Sequence, residues 1–406
     1  MPIATEALSP VPMPYHRAIA AHLQATEPGL WRWFTSTRKR HEAADAVRLD
    51  LLKSTYRLEP QAQPKLYDLA NAVRERLGLG CNVTLYQAQT GTALNAALAY
   101  LPGEAHVILA GPLANVLTET ELRAVFAHEL AHFLLYEESD GVHLVASDLL
   151  RALSADAAAG PAASESVRLN SLWTEIYADR WAYHLCGDAT ATIAALIKIE
   201  TGLAEVSAES YLRQADEIFA QASAATENIS HPESYIRARA LRLWAEQGTQ
   251  AQAEIERMIE GGLDLHRLDL LGQARAANLT QRFLQALLRP RWYQTEAVLA
   301  HAKRFFADFV IQPDVINDAS LKSELDRGDS SLRDYCCYLM LDFATVDPDL
   351  GDVAMSASIV LARRLGIDKR FAELAQKELT IGKKAFTKID KDAETILART
   401  EAAQPS

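Results

Sequence analysis

Two histidines four residues apart stand in the run His128-Glu129-Leu130-Ala131-His132. On one helix that spacing puts both imidazoles on the same face, near enough to share a metal ion. Glu129 then lies about 100° around the helix, where its carboxylate reaches a metal-bound water without being a ligand. Further along, Glu175-Ile176-Tyr177-Ala178-Asp179 offers two carboxylates one turn apart on a common face. A catalytic zinc takes three protein ligands and keeps a fourth position open. His128, His132 and Glu175 meet that requirement and leave a net charge of about +1 at the metal. Asp179 is then placed to accept the free N–H of a ligand imidazole and fix its tautomer. Alone, Glu175 and Asp179 would read as a solvated helix face with Arg180. Paired with the histidine motif, they give the layout of a zinc hydrolase.

The elements that must position these residues are legible around them. Thr118 followed by Glu121 makes a capping box, the start of a helix. Leu122, Val125, Phe126 and Leu130 recur at helical spacing, so the motif falls where that helix packs on a core. A second helix is expected over about 166–186, with Gly187 as its C′ residue. The stretch Ser154 to Ser164 between them is small and polar, with a Gly160-Pro161 break. It is expected to bury little and to be a mobile surface loop. Because it links the two metal-bearing segments, it could also gate access to a cleft.

Several segments occur in a recognisable order. Asn95-Ala96-Ala97-Leu98 is followed by Leu101-Pro102-Gly103, Val107-Ile108-Leu109-Ala110-Gly111, the histidine motif, Glu175 with Ala178-Asp179-Arg180, and His231-Pro232. That order resembles the gluzincin family of zinc peptidases typified by the CAAX prenyl protease and the HtpX heat-shock protease. The resemblance covers about residues 80 to 245. It implies that His128, His132 and Glu175 bind zinc, that Glu129 is the general base and that Asp179 orients a ligand histidine. His231 would hydrogen-bond the oxyanion of the tetrahedral intermediate. It also implies a small sheet over Asn95 to Ala110, with Asn95, Val107, Ile108 and Leu109 as substrate-binding positions where an edge strand pairs with an extended peptide. The best-known members span membranes, whereas no window here approaches the roughly 18 to 20 uninterrupted apolar residues of a transmembrane helix.

Composition sets the frame. A chain of 406 residues exceeds one typical core, and 49% hydrophobic with 7% aromatic residues is ordinary for a globular protein. A net charge of -12 argues against nucleic-acid binding. Arg38-Lys39-Arg40-His41 is the one basic cluster, and Trp31 and Trp33 just before it are expected to pack inside. Cys81, Cys186, Cys336 and Cys337 form neither C-x-x-C pairs nor a disulfide framework, and the vicinal pair should fill helix core positions. Met1 to Pro14 has no basic n-region followed by an apolar run. A reduced, cytoplasmic protein is expected.

The pattern is mainly helical, with helices near 14–26, 38–55 and 62–77 before a short β region over about 83–110. Beyond Trp244 it stays helical to about Thr395, with breaks at Gly261-Gly262, Pro290, Pro313 and Asp347-Pro348. Residues of about 332–384 resemble TerB-like helical domains, which implies recruitment of a regulatory protein partner. The acid run Asp347, Asp349 and Asp352 lacks calcium-loop spacing and reads as a solvated turn. The expected architecture is mainly α (α+β). A helical segment (1–78) precedes a zincin-type peptidase domain with a small sheet (79–250). An all-helical accessory domain (251–395) and a disordered tail (396–406) follow. The expected activity is a zinc endopeptidase acting on a protein or peptide substrate. Two alternatives stay open: a zinc-binding, chaperone-like protein without turnover, and a small-amide hydrolase.

Overall fold

The computed structural model describes residues 11–91, 93–156, 160–221, 234–312, 318–379 and 382–403; the side chains of 37–43 are not among them. The chain forms two compact units, Met1–Ile259 and Glu260–Ser406. The first opens with helices α1 (Pro14–Thr26), α2 (Pro28–Thr35) and α3 (Thr37–Ser54). Strand β1 (Thr55–Arg57), helix α4 (Pro64–Arg76) and strands β2 (Asn82–Ala88), β3 (Asn95–Leu101) and β4 (Glu104–Ala110) follow. A single turn, α5 (Leu113–Val116), leads into α6 (Glu119–Glu137), α7 (Val142–Ala155) and α8 (Gly160–Cys186). Then come α9 (Ala189–Thr201), α10 (Ala208–Gln221), α11 (Ser234–Gln247) and α12 (Gln252–Glu260). A mainly helical chain with one small sheet is what the sequence pattern predicts.

The sheet has the order β1-β2-β4-β3. β2 and β4 run parallel, β1 is antiparallel to β2, and β3 is antiparallel to β4. Pro102-Gly103 closes the β3–β4 hairpin, and Gly103 takes the left-handed φ of +74° that a bulkier residue would resist. Ala105, Val107 and Leu109 alternate onto the buried face and join Leu85, Phe126 and Leu130 in the core of this unit. Tyr67 on α4 ties helix to sheet, donating its hydroxyl to Leu58 O (2.8 Å) and accepting from Leu85 N (3.2 Å).

Helix α6 begins as expected: Thr118 Oγ1 accepts from Glu121 N, and Glu121 Oε2 accepts from Thr118 N. Helix α8 packs along α6 and ends at Gly187, whose φ is +68°. Its start departs from expectation. Ser154 lies in α7 and Gly160 to Ser164 in α8, so most of the stretch taken for a loop is helical; 157–159 lie outside the described residues. Ala162 and Ala163 are buried, because residues without long side chains let α7 and α8 approach closely.

The N-terminal aromatics also differ. Trp33 is 48% exposed, Trp31 is only half-buried, and α2 has no buried residue. Leu30, Trp31, Trp33 and Phe34 crowd two turns, so successive 100° steps spread them around the helix and one face cannot bury them all. Short β1 lay outside the predicted elements because three residues carry no alternation signal.

The second unit contains α13 (Leu270–Leu287), α14 (Glu296–Phe305), α15 (Asp318–Arg327), α16 (Ser330–Thr345), α17 (Gly351–Leu365), α18 (Asp368–Glu378) and α19 (Lys383–Ala402). Cys336 and Cys337 are fully buried in its core with Phe283, Met340 and Phe343, as expected of helix core positions. The break at Asp347-Pro348 is a capped turn in which Asp347 Oδ1 accepts from Asp349 N (3.1 Å). The Pro313 break lies outside the described residues. The last helix runs to Ala402 rather than ending near Thr395.

Candidate active site

His128 and His132 project from the same face of α6, their ring centroids 4.8 Å apart. Their Nε2 atoms face each other at 3.2 Å. Glu175 on α8 closes the group, with Oε2 3.3 Å from His128 Nε2 and Oε1 3.6 Å from His132 Nε2. All three donor atoms lie within 4.8 Å of one another, the one such group of three found among the described residues. Two imidazole nitrogens and a carboxylate oxygen converging on one point suit zinc. With Asp179 taking the proton on His128 Nδ1, the neutral His128 ring presents its Nε2 lone pair beside His132 Nε2 and the Glu175 carboxylate, a donor set that fits a divalent cation.

The surroundings fix its charge. Asp179 Oδ1 accepts from His128 Nδ1 at 2.9 Å, leaving Nε2 to point at the group. Arg237 on α11 donates from Nε and Nη2 to Asp179 (2.6 and 2.7 Å) and lies 3.1 Å from Glu175. Burial opposes ionisation of Glu175 and Asp179, but the Arg237 guanidinium and the His128 ring hold both well below the usual carboxylate range. Burial would lower His128; Asp179 and Glu175 overcome it and push His128 up to about 10. Burial brings His132 down to about 4, so its ring stays neutral.

Glu129 sits one step around α6, buried in the same cleft. Burial pushes it up to about 7, only partly offset by His128, and the Leu98 backbone N–H hydrogen-bonds its carboxylate. That places a proton acceptor of near-neutral affinity beside the open strand β3. Tyr136, one turn beyond His132, also lines the cleft; burial raises it to about 12, so its hydroxyl stays a donor.

The sequence-predicted residues do not all meet here. His128, Glu129, His132, Glu175 and Asp179 come together, and Asn95 lies on the cleft wall at the start of β3. His231 lies outside the described residues. Val107, Ile108 and Leu109 are corrected: β4 is paired on both sides, by β2 and β3, and has no free edge. Val107 and Leu109 are moreover buried in the core. The strand with an open edge on the cleft is β3, through Asn95 to Leu98. Arg237 was missed, though a signal existed. It shares a helical stripe with the buried Ser234, Leu241 and Trp244, and a cation in a buried stripe calls for a carboxylate partner.

Residues 60–245 match the family model described as peptidase family M48. The match takes in β2 to β4 and both helices of the cluster, and it supports a peptidase of a metallopeptidase family with a protein or peptide as substrate. No curated protein and no solved structure matches the chain. Among the described residues, no helix is long and apolar enough to cross a membrane.

Proposed function

We propose that the protein is a zinc-dependent endopeptidase of the CAAX prenyl protease and HtpX-like kind, with His128, His132 and Glu175 as the metal ligands and Glu129 as the general base. The convergence of the three donor atoms within 4.8 Å, beside Glu129 and the open edge of β3, carries this reading. Zinc supplies Lewis acidity, which polarises a carbonyl and lowers the pKa of water to about 7. Asp179, held by Arg237, keeps the His128 ring in the tautomer whose Nε2 faces the metal. His132, neutral and buried, needs no deprotonation before it binds. An extended peptide adds to the free edge of β3 through main-chain hydrogen bonds, which brings its scissile amide beside Glu129. Glu129 takes the proton of the attacking water and passes it to the leaving amine. Tyr136 and His231 are the donors offered for the oxyanion, a contribution of about 3 kcal/mol in comparable sites. The helical unit, with its TerB-like stretch over α16 to α18, serves to recruit or regulate, and the protein works in the cytoplasm.

The test compares wild type with Glu129→Gln, both zinc-loaded, by mass spectrometry of an unfolded-protein mixture. New peptides should arise from wild type alone, while elemental analysis finds zinc in both. Hydrolysis retained by Glu129→Gln would remove Glu129 from the role of base.

A further inference from the structure

Strand β3 is fastened to the metal-bearing helix α6 at two places. At one, the Leu98 backbone N–H hydrogen-bonds the Glu129 carboxylate. At the other, Glu137, the last residue of α6, holds the β3–β4 hairpin. Its Oε1 accepts from the Tyr100 hydroxyl (2.6 Å) and from the Gly103 backbone N–H (3.3 Å). Tyr100 lies near the end of β3 and Gly103 in the turn after it, so one carboxylate oxygen gathers strand and turn together. The Tyr100 ring also packs against Phe133 (5.5 Å between centroids) and Tyr136 (5.6 Å). Phe133 and Glu137 are one helical turn apart, so one face of α6 supplies both ring contact and acceptor.

The two attachments differ in what catalysis asks of them. A general base must turn its carboxylate to water and then to the leaving amine, so Glu129 cannot hold β3 throughout turnover. Glu137 lies two turns further on, about 12 Å along the helix axis. It is exposed and stands apart from the residues that line the cleft. Its anchor point is closely defined. The chain leaves α6 through Ser139, Asp140 and Gly141 at left-handed φ of 52°, 58° and 79°. Ser139 and Asp140 adopt that conformation at a cost, which the surrounding structure must hold in place. A peptide added to the free edge of β3 reaches the metal group only as closely as β3 itself is held to α6. An error of about 1 Å in such placement costs up to about 100-fold in rate.

We propose that Glu137 is a positioning residue: its carboxylate sets the spacing between α6 and the substrate-pairing strand β3, and so places an extended peptide beside the metal and Glu129. The inference rests on the peptidase reading above. Its test follows hydrolysis of fluorescein-labelled casein, an unfolded protein, by the zinc-loaded full chain. Glu137→Ala should raise KM about tenfold and keep kcat within about threefold, because the ligands and Glu129 stay on their helices. Glu137→Gln keeps an oxygen that accepts both bonds and should recover most of the loss. Tyr100→Phe removes one of the two donors and should give an intermediate KM. Added to Glu137→Ala, it should change nothing further. Zinc affinity, read by competition with a chromogenic chelator, should be equal throughout. A wild-type KM in Glu137→Ala, or Glu137→Gln as impaired as Glu137→Ala, would overturn the proposal. A kcat that falls together with zinc affinity would reduce Glu137 to a purely structural part and overturn it as well.

Hydrogen exchange read by mass spectrometry tests the same attachment without turnover. Amides of residues 95–103 should exchange about tenfold faster in Glu137→Ala than in wild type, and at nearly the wild-type rate in Glu137→Gln. If the wild type cuts nothing, it is the peptidase reading that has failed. Faster exchange confined to Glu137→Ala then still supports the hold of Glu137 on β3, and equal exchange in all three proteins overturns it.

Discussion

Arg237 sits between two carboxylates that burial alone would protonate, and its two bonds to Asp179 keep that side chain anionic and aimed at His128. Orientation of a ligand imidazole by such a carboxylate is worth about 10- to 100-fold in metal affinity. Asp179→Asn should therefore weaken zinc binding by about that factor in competition with a chromogenic chelator, with the helical circular dichroism kept. Unchanged affinity would deny Asp179 a part in holding the metal. Elsewhere in the same unit, His16 on α1 and His143 on α7 lie 5.8 Å apart between ring centroids, and His16 Nε2 meets Thr174 Oγ1 at 3.2 Å. Burial lowers His16 from 6.5 to about 3 and His143 to about 4. The unfolded chain therefore takes up these protons first as pH falls. Their contribution to stability is complete above about 6.5 and is lost progressively as pH falls, down to about 4 for His143 and about 3 for His16. In urea titrations with metal chelated, His143→Leu should lose less stability than wild type across that interval. Parallel losses in the two proteins would exclude the pair as the source.

At the scale of elements, the start of α6 is where local and tertiary interactions can be told apart. Thr118 caps the helix locally, whereas Glu121 both completes the box and pairs with Lys198 on α9 at 2.9 Å, both side chains buried. Thr118→Ala should cost about 1 kcal/mol. Glu121→Ala should cost about 3–5 kcal/mol, because it strands a buried ammonium. Urea denaturation of the two variants reads the difference, and equal losses would mean that Lys198 finds another partner. The local half of this device was legible, since Thr118 and Glu121 are three residues apart. Lys198, distant in sequence, carried no sign of it. The same contrast runs through the sheet. A short β-branched apolar run marked Val107 to Leu109 as strand, yet strand order decided that β4 lies inside and β3 outside.

At the scale of the whole molecule, the cluster and its cleft belong to the first unit, and the second packs a helical core of its own. All four cysteines are free; Cys81, Cys336 and Cys337 are buried. Burial raises every one of these thiols, Cys186 to about 11 and Cys337 to about 12. The thiolate fraction in the native chain is therefore small. A thiol reagent at neutral pH should label the native chain slowly and the chain in guanidinium chloride completely, with mass spectrometry locating each adduct. Rapid native labelling of Cys336 or Cys337 would show that the helical core opens readily.

The sequence by itself determined the candidate metal-binding group and the glutamate beside it, because His128, Glu129 and His132 are fixed by one helical repeat and Glu175 and Asp179 by another. It determined the start of α6 and the stop of α8 as well, since a capping box and a glycine turn act over a few residues, but not the start of α8 or the end of α19. Other features came only with tertiary structure. Arg237 reaches the site because α11 packs against α8, and β3 becomes the open edge because β4 lies between β2 and β3. Glu137 reaches the β3–β4 hairpin because α6 packs along β3. Local spacing sets which side chains share a face, while long-range packing sets what that face meets.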